Sequence, residues 1–327
     1  ERFCRISKAD GFQDKLICSN MTLCRGMKYV LLQVVVLLLK ETEAMADKKC
    51  ERVDHMKNSM PRIPFGRYSL SRLIAGSNPM NGYSHLSRFV STQMMKYFTR
   101  ERILEHLKYC RQLGVNAWQS HSANLDVNRM LRDQGVDMHF LALASDRAEE
   151  PEMLDRLVSG GAIGVAHHGE VTDIFYKSGE LDRVREYCKK IRDTGVMVGV
   201  STHMPDVVKT ISDEGWDVDY FMCCVYERHR SREELQRLLG NVPIPVPEVY
   251  LESDPPRMFE VMRQTDKPCL AFKILAAGRL CERQETVEQA FRQTFEQIKK
   301  NDAVIVGMYP EFEDQVALNV AYVKQYG

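Results

Sequence analysis

The stretch Gly161-Ala162-Ile163-Gly164-Val165-Ala166-His167-His168-Gly169-Glu170 joins a run of small and apolar residues to two adjacent histidines and a glycine. The run predicts a short buried strand that ends at the histidines. Side chains alternate between the two faces of a strand, so one histidine should face the interior of the sheet and the other the opposite layer. His85, His121 and His203 also lie near the ends of predicted strands. Histidines at several strand ends are the first indication of a functional site.

Composition excludes some classes of protein. The chain has 327 residues, a formal net charge of zero and 44% hydrophobic residues, enough for one large core. Balanced, interspersed charges argue against a nucleic-acid or membrane-surface protein. The ten cysteines include no Cys-x-x-Cys motif, and Cys223-Cys224 is the one adjacent pair. Adjacent cysteines rarely bridge each other, so we expect reduced, structural thiols.

The first sixty residues differ from the rest of the chain. Residues 29–39 form an apolar run that is too short to span a bilayer comfortably. Residues 21–46 resemble a signal peptide that ends in Ala44-Met45-Ala46, although Lys40 and Glu41 place charge near the cleavage site. The expectation is a cytoplasmic protein, with export through this segment as the alternative. We therefore predict a leader over residues 1–60 and one folded domain over residues 61–327.

From residue 63 onward, one unit recurs: an apolar run, a polar loop and an amphipathic helix. The first such helix, Arg100–Leu113, carries apolar residues on one face and stops before Gly114. The eight predicted strands are Leu73–Gly76, Val115–His121, Phe140–Ser145, Ala162–His167, Met197–His203, Val218–Val225, Cys269–Leu275 and Ala303–Gly307. This alternation predicts a single-domain α/β protein, a (β/α)8 TIM barrel. A doubly wound sheet is the alternative, but no Gly-x-Gly-x-x-Gly turn follows the first strand.

In a TIM barrel, ligands bind at the carboxyl ends of the strands. Histidines end several of the predicted strands, and Tyr226 follows the sixth. Lys273 lies in the apolar run of the seventh strand, where a buried amine must pair or lose its proton. Barrels use such lysines for Schiff bases or ion pairs. The polar side chains therefore collect at one predicted mouth of the barrel.

Four segments resemble aldo-keto reductases: Phe65–Gly76, Gly199–His203, Ala271–Leu280 and Val306–Asn319. The resemblance implies an NAD(P)-linked oxidoreductase acting on a small carbonyl or hydroxyl substrate, with NADP or NAD as cofactor. The cofactor-binding residues that it implies are Ser201, Thr202, Phe272, Gly307 and Asn319.

The chain departs from that family at the catalytic positions. Gln119, Asn124 and Ala144 stand near the places of the family's Asp, Tyr and Lys, and His167 alone remains. Carbonyl reduction needs a proton donor beside the reacting carbon. A rearranged site is therefore expected, and its candidate catalytic residues are His167, His168, Lys273 and Tyr226.

Two other functions are compatible with the sequence. In the first, His121, His167 and His203, with Glu170 or Glu227, hold Zn, Mn or Fe in a lyase, isomerase or hydrolase. In the second, the barrel binds a small ligand without catalysing a reaction. All three functions involve a small molecule as partner, and none involves nucleic acid or a membrane span.

Overall fold

A computed structural model describes residues 59–145, 152–244 and 248–327. The predicted leader and its signal-like segment lie outside the described residues, apart from Ser59 and Met60. No helix in the described part of the chain is long and apolar enough to cross a membrane.

Eight parallel strands close into a barrel, which confirms the predicted (β/α)8 TIM fold. The order around the barrel follows the chain, from β3 to β10, and β10 pairs with β3 to close it. The barrel strands are β3 (Leu73–Gly76), β4 (Ala117–Ser120), β5 (His139–Ala144), β6 (Ala162–His167), β7 (Met197–Thr202), β8 (Tyr220–Cys224), β9 (Cys269–Phe272) and β10 (Ala303–Gly307).

Helices follow the strands and cover the outside of the barrel. In the described residues they are α1 (Arg88–Tyr97), α2 (Arg100–Gln112), α3 (Leu125–Asp133), α4 (Met153–Ser159), α5 (Gly169–Lys177), α6 (Asp182–Asp193), α7 (Pro205–Asp213), α8 (Arg232–Leu239), α9 (Asp254–Gln264), α10 (Gln284–Gln297) and α11 (Gln315–Tyr326). Helices α1 and α5, in the loops after β3 and β6, are not among the predicted elements.

A hairpin that the sequence analysis missed precedes the barrel. Its strands are β1 (Arg62–Phe65) and β2 (Tyr68–Ser71), and they pair antiparallel. The buried ring of Phe65 lies 4.8 Å from that of Tyr220, the first residue of β8. Gly199 provides the space for Tyr220, since an added Cβ would come within 2.3 Å of its ring. The hairpin therefore closes the amino-terminal end of the barrel and leaves the carboxyl end for a site.

Alternating side chains divide the core into two layers. Leu141 and Ala166 belong to the cluster inside the barrel, together with the hairpin residues. Phe140 and Val165, their neighbours along the strands, belong to the larger cluster between the barrel and its helices. This alternation determines which side chains at the strand ends face the mouth and which face the helices.

Candidate functional site

Three side chains from successive loops converge at the carboxyl end of the barrel. Asp173 lies on α5, after β6; His203 directly follows β7; and His229 lies in the loop after β8. One potential metal-ligand atom from each side chain lies within 4.8 Å of the other two. Among the described residues, this is the one group of three or more His, Cys, Asp or Glu side chains arranged so closely.

Hydrogen bonds fix the position of the Asp173 carboxylate. Its Oδ2 atom lies 2.7 Å from Nδ1 of His203, and both of its oxygens accept the His203 backbone N–H at 3.2 Å. The Thr202 hydroxyl donates to Oδ1 at 2.5 Å. Thr202 belongs to β7 and Asp173 to α5, so these bonds hold the helix against the strand end. The carboxylate is therefore ordered before any ligand arrives.

His229 completes the group, next to the His203 ring. The two imidazole rings are 5.0 Å apart and meet edge to face at 89°. The Lys177 ammonium donates to the His229 carbonyl and so ties this loop to α5. The His229 Nε2 atom is buried and has no hydrogen-bond partner among the described residues. A buried polar atom without a partner is costly unless something binds it.

Burial sets the charge state of the group. Burial lowers the pKa of His203 well below its usual value, and the Lys273 charge lowers it further. Burial followed by the charge of Arg228 lowers the pKa of His229. Both rings are therefore neutral at pH 7, which is the form that coordinates metals. Burial also raises the pKa of Asp173 to about 6, which leaves it mostly ionised at pH 7.

The donor set fits a transition metal. Two neutral imidazoles and one carboxylate are a ligand combination that binds Zn and Fe in many proteins. The buried, unpartnered Nε2 of His229 is the structural observation that supports this fit. His203 would keep its Nδ1–H bond to Asp173 and offer its Nε2 lone pair to the metal, as many ligating histidines do.

Lys273 lies at the same mouth, one residue beyond β9. Its backbone has a φ of +62°, in the left-handed region that costs a non-glycine residue about 1 kcal/mol. The Nζ atom is 5.9 Å from the ring centroid of Phe272, and that ring packs edge to face on His203 at 5.6 Å. No hydrogen bond or ion pair engages Nζ within the described residues. Burial, helped by Arg228 and Arg279, lowers the pKa of Lys273 to about 8.

The neighbouring charged groups are already paired. Glu248 forms ion pairs with Arg228 and, at 3.1 Å, with His85. Arg279 donates to the carbonyls of His85 and Glu248 and stacks on the Tyr250 ring at 4.1 Å. These contacts connect the loops after β3, β8 and β9. Lys273 is therefore the cation in this network whose side chain makes no ion pair or hydrogen bond in the part of the chain that the structure describes.

The two predicted histidines of β6 diverge as the alternation requires. His167 is completely buried in the helix layer, where its Nδ1 lies 2.7 Å from the Thr172 hydroxyl and its ring packs on Tyr187. His168 faces the other way, and its charge lowers the pKa of His121, though less than burial does. His121 stacks on Tyr83, and its Nε2 is buried without a hydrogen-bond partner among the described residues.

The structure thus divides the predicted metal set. It brings His203 into the cluster, places His121 beside His168, and places His167 behind the strand in the helix layer. Tyr226 is nearly buried against Tyr250, with a ring separation of 5.0 Å.

The residues expected to bind a dinucleotide are engaged in other contacts. Thr202 binds Asp173, and Phe272 packs on His203. Ser201 is buried beside Gly169, where an added Cβ would lie 2.9 Å from its Oγ. An added Cβ on Gly307 would lie 2.6 Å from the Pro79 ring. Asn319 is buried on α11.

The sequence does not identify Asp173 or His229 as candidate site residues. Asp173 lies on α5, which the sequence pattern does not predict. The sequence signal for this helix is the four-residue spacing of the apolar residues Val171 and Phe175, directly after the histidine pair. His229 follows Glu227 in the loop after β8, and its sequence neighbours gave no comparable signal.

Comparisons with known proteins find similar solved structures but no matching family model or curated protein. No protein-family model matches the chain, and no curated protein matches it. It is similar to phospho-2-dehydro-3-deoxyheptonate aldolase (DAHP synthase) from Thermotoga maritima, with 13% identity and a TM-score of 0.48 over 82% of this chain and 72% of that one. It is also similar to a truncated 3-deoxy-D-arabino-heptulosonate 7-phosphate synthase from Thermotoga maritima, with 13% identity, TM-score 0.48 and coverage of 82% and 91%. A third similar structure is that of Gox0644 in its apo form, with 11% identity and a TM-score of 0.47 over 82% of this chain and 94% of that one.

The prediction of an aldo-keto reductase is wrong. No model of that family matches the chain. The physical reason lies in the site, where Gln119, Asn124 and Ala144 supply none of the proton-donating groups that tyrosine-based carbonyl reduction needs. The prediction of an NAD(P)-linked oxidoreductase falls with it.

Proposed function

We propose that this protein is a metal-dependent enzyme of the lyase, isomerase or hydrolase class that acts on a small molecule. Asp173, His203 and His229 would hold the metal. The observation that carries the proposal is their convergence from three separate loops, with ligand atoms within 4.8 Å of one another. The place of the cluster supports it too, since the carboxyl end of a TIM barrel is where active sites form.

The ligand types favour zinc, manganese or iron. Imidazole nitrogen suits zinc and iron, and a single carboxylate adds a harder oxygen ligand. A metal in such a site polarises a carbonyl or lowers the pKa of a bound water. Three protein ligands leave coordination positions for water or substrate, as catalytic sites require.

The surrounding residues position the ligands. The Thr202 hydroxyl and the His203 backbone N–H hold the Asp173 carboxylate. The Lys177 ammonium donates to the backbone carbonyl of His229 and so anchors that loop. Phe272 covers one edge of the His203 ring and limits access of bulk water. These contacts fix the geometry of the group, which is the main contribution of a protein to metal catalysis.

Metal analysis of the purified full chain tests the proposal. After treatment with a chelator, the protein is dialysed against Zn²⁺, Mn²⁺ or Fe²⁺ in turn, and bound metal is measured by mass spectrometry. We expect stoichiometric binding of at least one of these ions, lost in His203→Ala and in His229→Ala. His229→Ala keeps the test valid if the buried His203 variant folds poorly, because His229 lies in a loop and is only partly buried.

His139→Ala is the matched control. His139 is a partly buried histidine at the first residue of β5, at the opposite end of the barrel, where it packs on Tyr68. The His139→Ala variant should bind metal as the unchanged protein does. Metal content that is absent, or that is the same in all four proteins, would refute the site.

A further inference from the structure

We infer that Lys273 is a covalent catalytic residue whose amine forms an imine with the carbonyl carbon of a small anionic aldehyde or ketone. The inference goes beyond the proposed metal site and does not depend on it. If both hold, the carbonyl substrate and the metal site favour a lyase over the other two classes.

The position of Lys273 is the first support. It follows the last residue of β9 and therefore stands at the rim of the barrel, beside the proposed metal site. Phe272 lies near both residues: its ring centroid is 5.6 Å from the His203 ring centroid and 5.9 Å from Nζ of Lys273. The charge of Lys273 contributes to lowering the pKa values of His85, His168, His203 and His229, which surround the mouth.

The second support is that, within the described residues, the amine has no hydrogen-bond or ion-pair partner. A lysine placed in a protein interior for structural reasons normally forms an ion pair. The nearby carboxylate, Glu248, is instead taken up by Arg228, His85 and the Tyr250 hydroxyl. The strained backbone at Lys273, with its φ of +62°, persists although no ion pair compensates for it. A lysine in this position does not stabilise the fold through an ion pair, so a chemical role for its amine explains it better.

The third support is the proton affinity of the amine. Burial and two neighbouring guanidinium groups lower the pKa of Lys273 to about 8. At pH 7 about 10% of such amines are unprotonated, against less than about 0.1% for an ordinary lysine. Burial and a nearby cation are the means by which proteins activate a lysine nucleophile. Lys273 should therefore be about 100-fold more reactive than a surface lysine at this pH.

The chemical step balances without any further reagent. The lone pair of unprotonated Nζ attacks the carbonyl carbon, and the carbonyl π electrons move to the oxygen. The resulting carbinolamine takes up one proton from solvent and loses water as the C=N⁺ bond forms. The electron pair of the C–C or C–H bond on the neighbouring carbon then moves towards C=N⁺, which gives a neutral enamine and releases the other fragment as a carbonyl compound or a proton. A proton from solvent adds to the enamine carbon and restores the iminium. One water molecule then hydrolyses it to the free amine, the carbonyl product and one proton.

The charge around the amine indicates the substrate class. Arg228 and Arg279 contribute two positive charges near Lys273, and Glu248 contributes one negative charge. Once the lysine has reacted as a neutral amine, the iminium adds a further positive charge. The field of this group therefore favours a carbonyl compound that carries a carboxylate or another anion.

Reductive trapping tests the inference. The full chain is incubated at pH 7 with cyanoborohydride and either formaldehyde, the smallest carbonyl probe, or pyruvate, an anionic one. Labelled lysines are then located by peptide mass spectrometry. We expect Lys273 to be labelled by both probes about 100-fold faster than Lys209, an exposed lysine paired with Asp213. Lys273→Arg, which keeps the charge, should lose this fast labelling.

Three outcomes would overturn the inference or a defined part of it. Labelling of Lys273 by formaldehyde at the rate of Lys209 would refute an activated amine. Fast labelling that persists in Lys273→Arg would assign the reactivity to another residue. Fast labelling by formaldehyde with none by pyruvate would refute the anionic substrate class. The experiment is repeated on chelator-treated protein, so failure of imine trapping is distinguished from failure of the metal site.

Discussion

The Nδ1 atom of His203 lies 2.7 Å from the Oδ2 atom of Asp173, and the two residues come from consecutive βα units of the barrel. The pair has almost no exposure to solvent. A neutral imidazole held by a buried carboxylate is ordered and retains a lone pair, and both properties suit a metal ligand. His229, whose nearest ligand atom lies within 4.8 Å of both residues, makes the pair a group of three.

Removing the hydroxyl that orients Asp173 should weaken metal binding. Thr202→Val removes the 2.5 Å hydrogen bond to Oδ1 and preserves the shape of the side chain. We expect metal affinity to fall by about 10- to 100-fold, the usual effect of losing a group that orients a ligand. Competition with a coloured chelator measures it. Thr294→Val changes a buried threonine on α10 whose hydroxyl donates to the Ala290 carbonyl, and it should leave the affinity unchanged. Equal losses in the two variants would contradict the assignment.

Metal binding at pH 7 should release almost no protons from the ligands. His203 is neutral and Asp173 is mostly ionised, so His203 can keep its Nδ1–H bond to Asp173 and offer the Nε2 lone pair to a metal. Calorimetric titration at pH 7 in two buffers with different heats of ionisation should therefore give nearly equal binding heats. Heats that differ by the equivalent of one proton would show that the hydrogen bond between His203 and Asp173 is broken when the metal binds.

Gly169 allows α5 to approach the end of β7. A Cβ at this position would lie 2.9 Å from Ser201 Oγ and 3.3 Å from His203 Cε1. Gly169→Ala should destabilise the fold by roughly 1–3 kcal/mol, as overpacking does, and should also weaken metal binding by displacing His203. Gly215→Ala is the contrasting variant, because its positive φ causes strain but no atom lies within 4 Å of the added Cβ. It should lose stability, measured by chemical denaturation, and keep its metal affinity.

Sequence periodicity was sufficient to predict the barrel, because each strand is a short apolar run and each covering helix has an apolar face. It was insufficient for α5, which follows His168 without a loop, and so Asp173 remained hidden within an assumed loop. The hairpin was missed because Arg62–Phe65, although its residues alternate between exposed and buried, is only four residues long. Lys273 could be identified from sequence since a lone cation within an apolar run is conspicuous. The pairing of Glu248 with Arg228 rather than with Lys273 could not be predicted, because these residues meet only in the folded barrel.

His106 should make the stability of the fold sensitive to acid. Burial lowers its pKa from 6.5 to about 4, so between these values the unfolded chain binds the proton more strongly. The free energy of unfolding therefore falls as the pH decreases through this window. Between pH 7.5 and 5.5 we expect this one residue to contribute a loss of about 1 kcal/mol, which His106→Gln should lack. Urea denaturation of metal-free protein at both pH values measures the difference, and identical pH dependence in the two proteins would contradict it.

The most direct measurement is anomalous X-ray diffraction from crystals of the full chain soaked with zinc. The proposed site predicts an anomalous peak between Asp173, His203 and His229, at about 2.0–2.2 Å from their coordinating atoms. The peak should disappear in crystals of His229→Ala. A peak elsewhere at the barrel mouth, or no peak at these three residues in crystals that contain zinc, would contradict the proposed metal site and the function inferred from it.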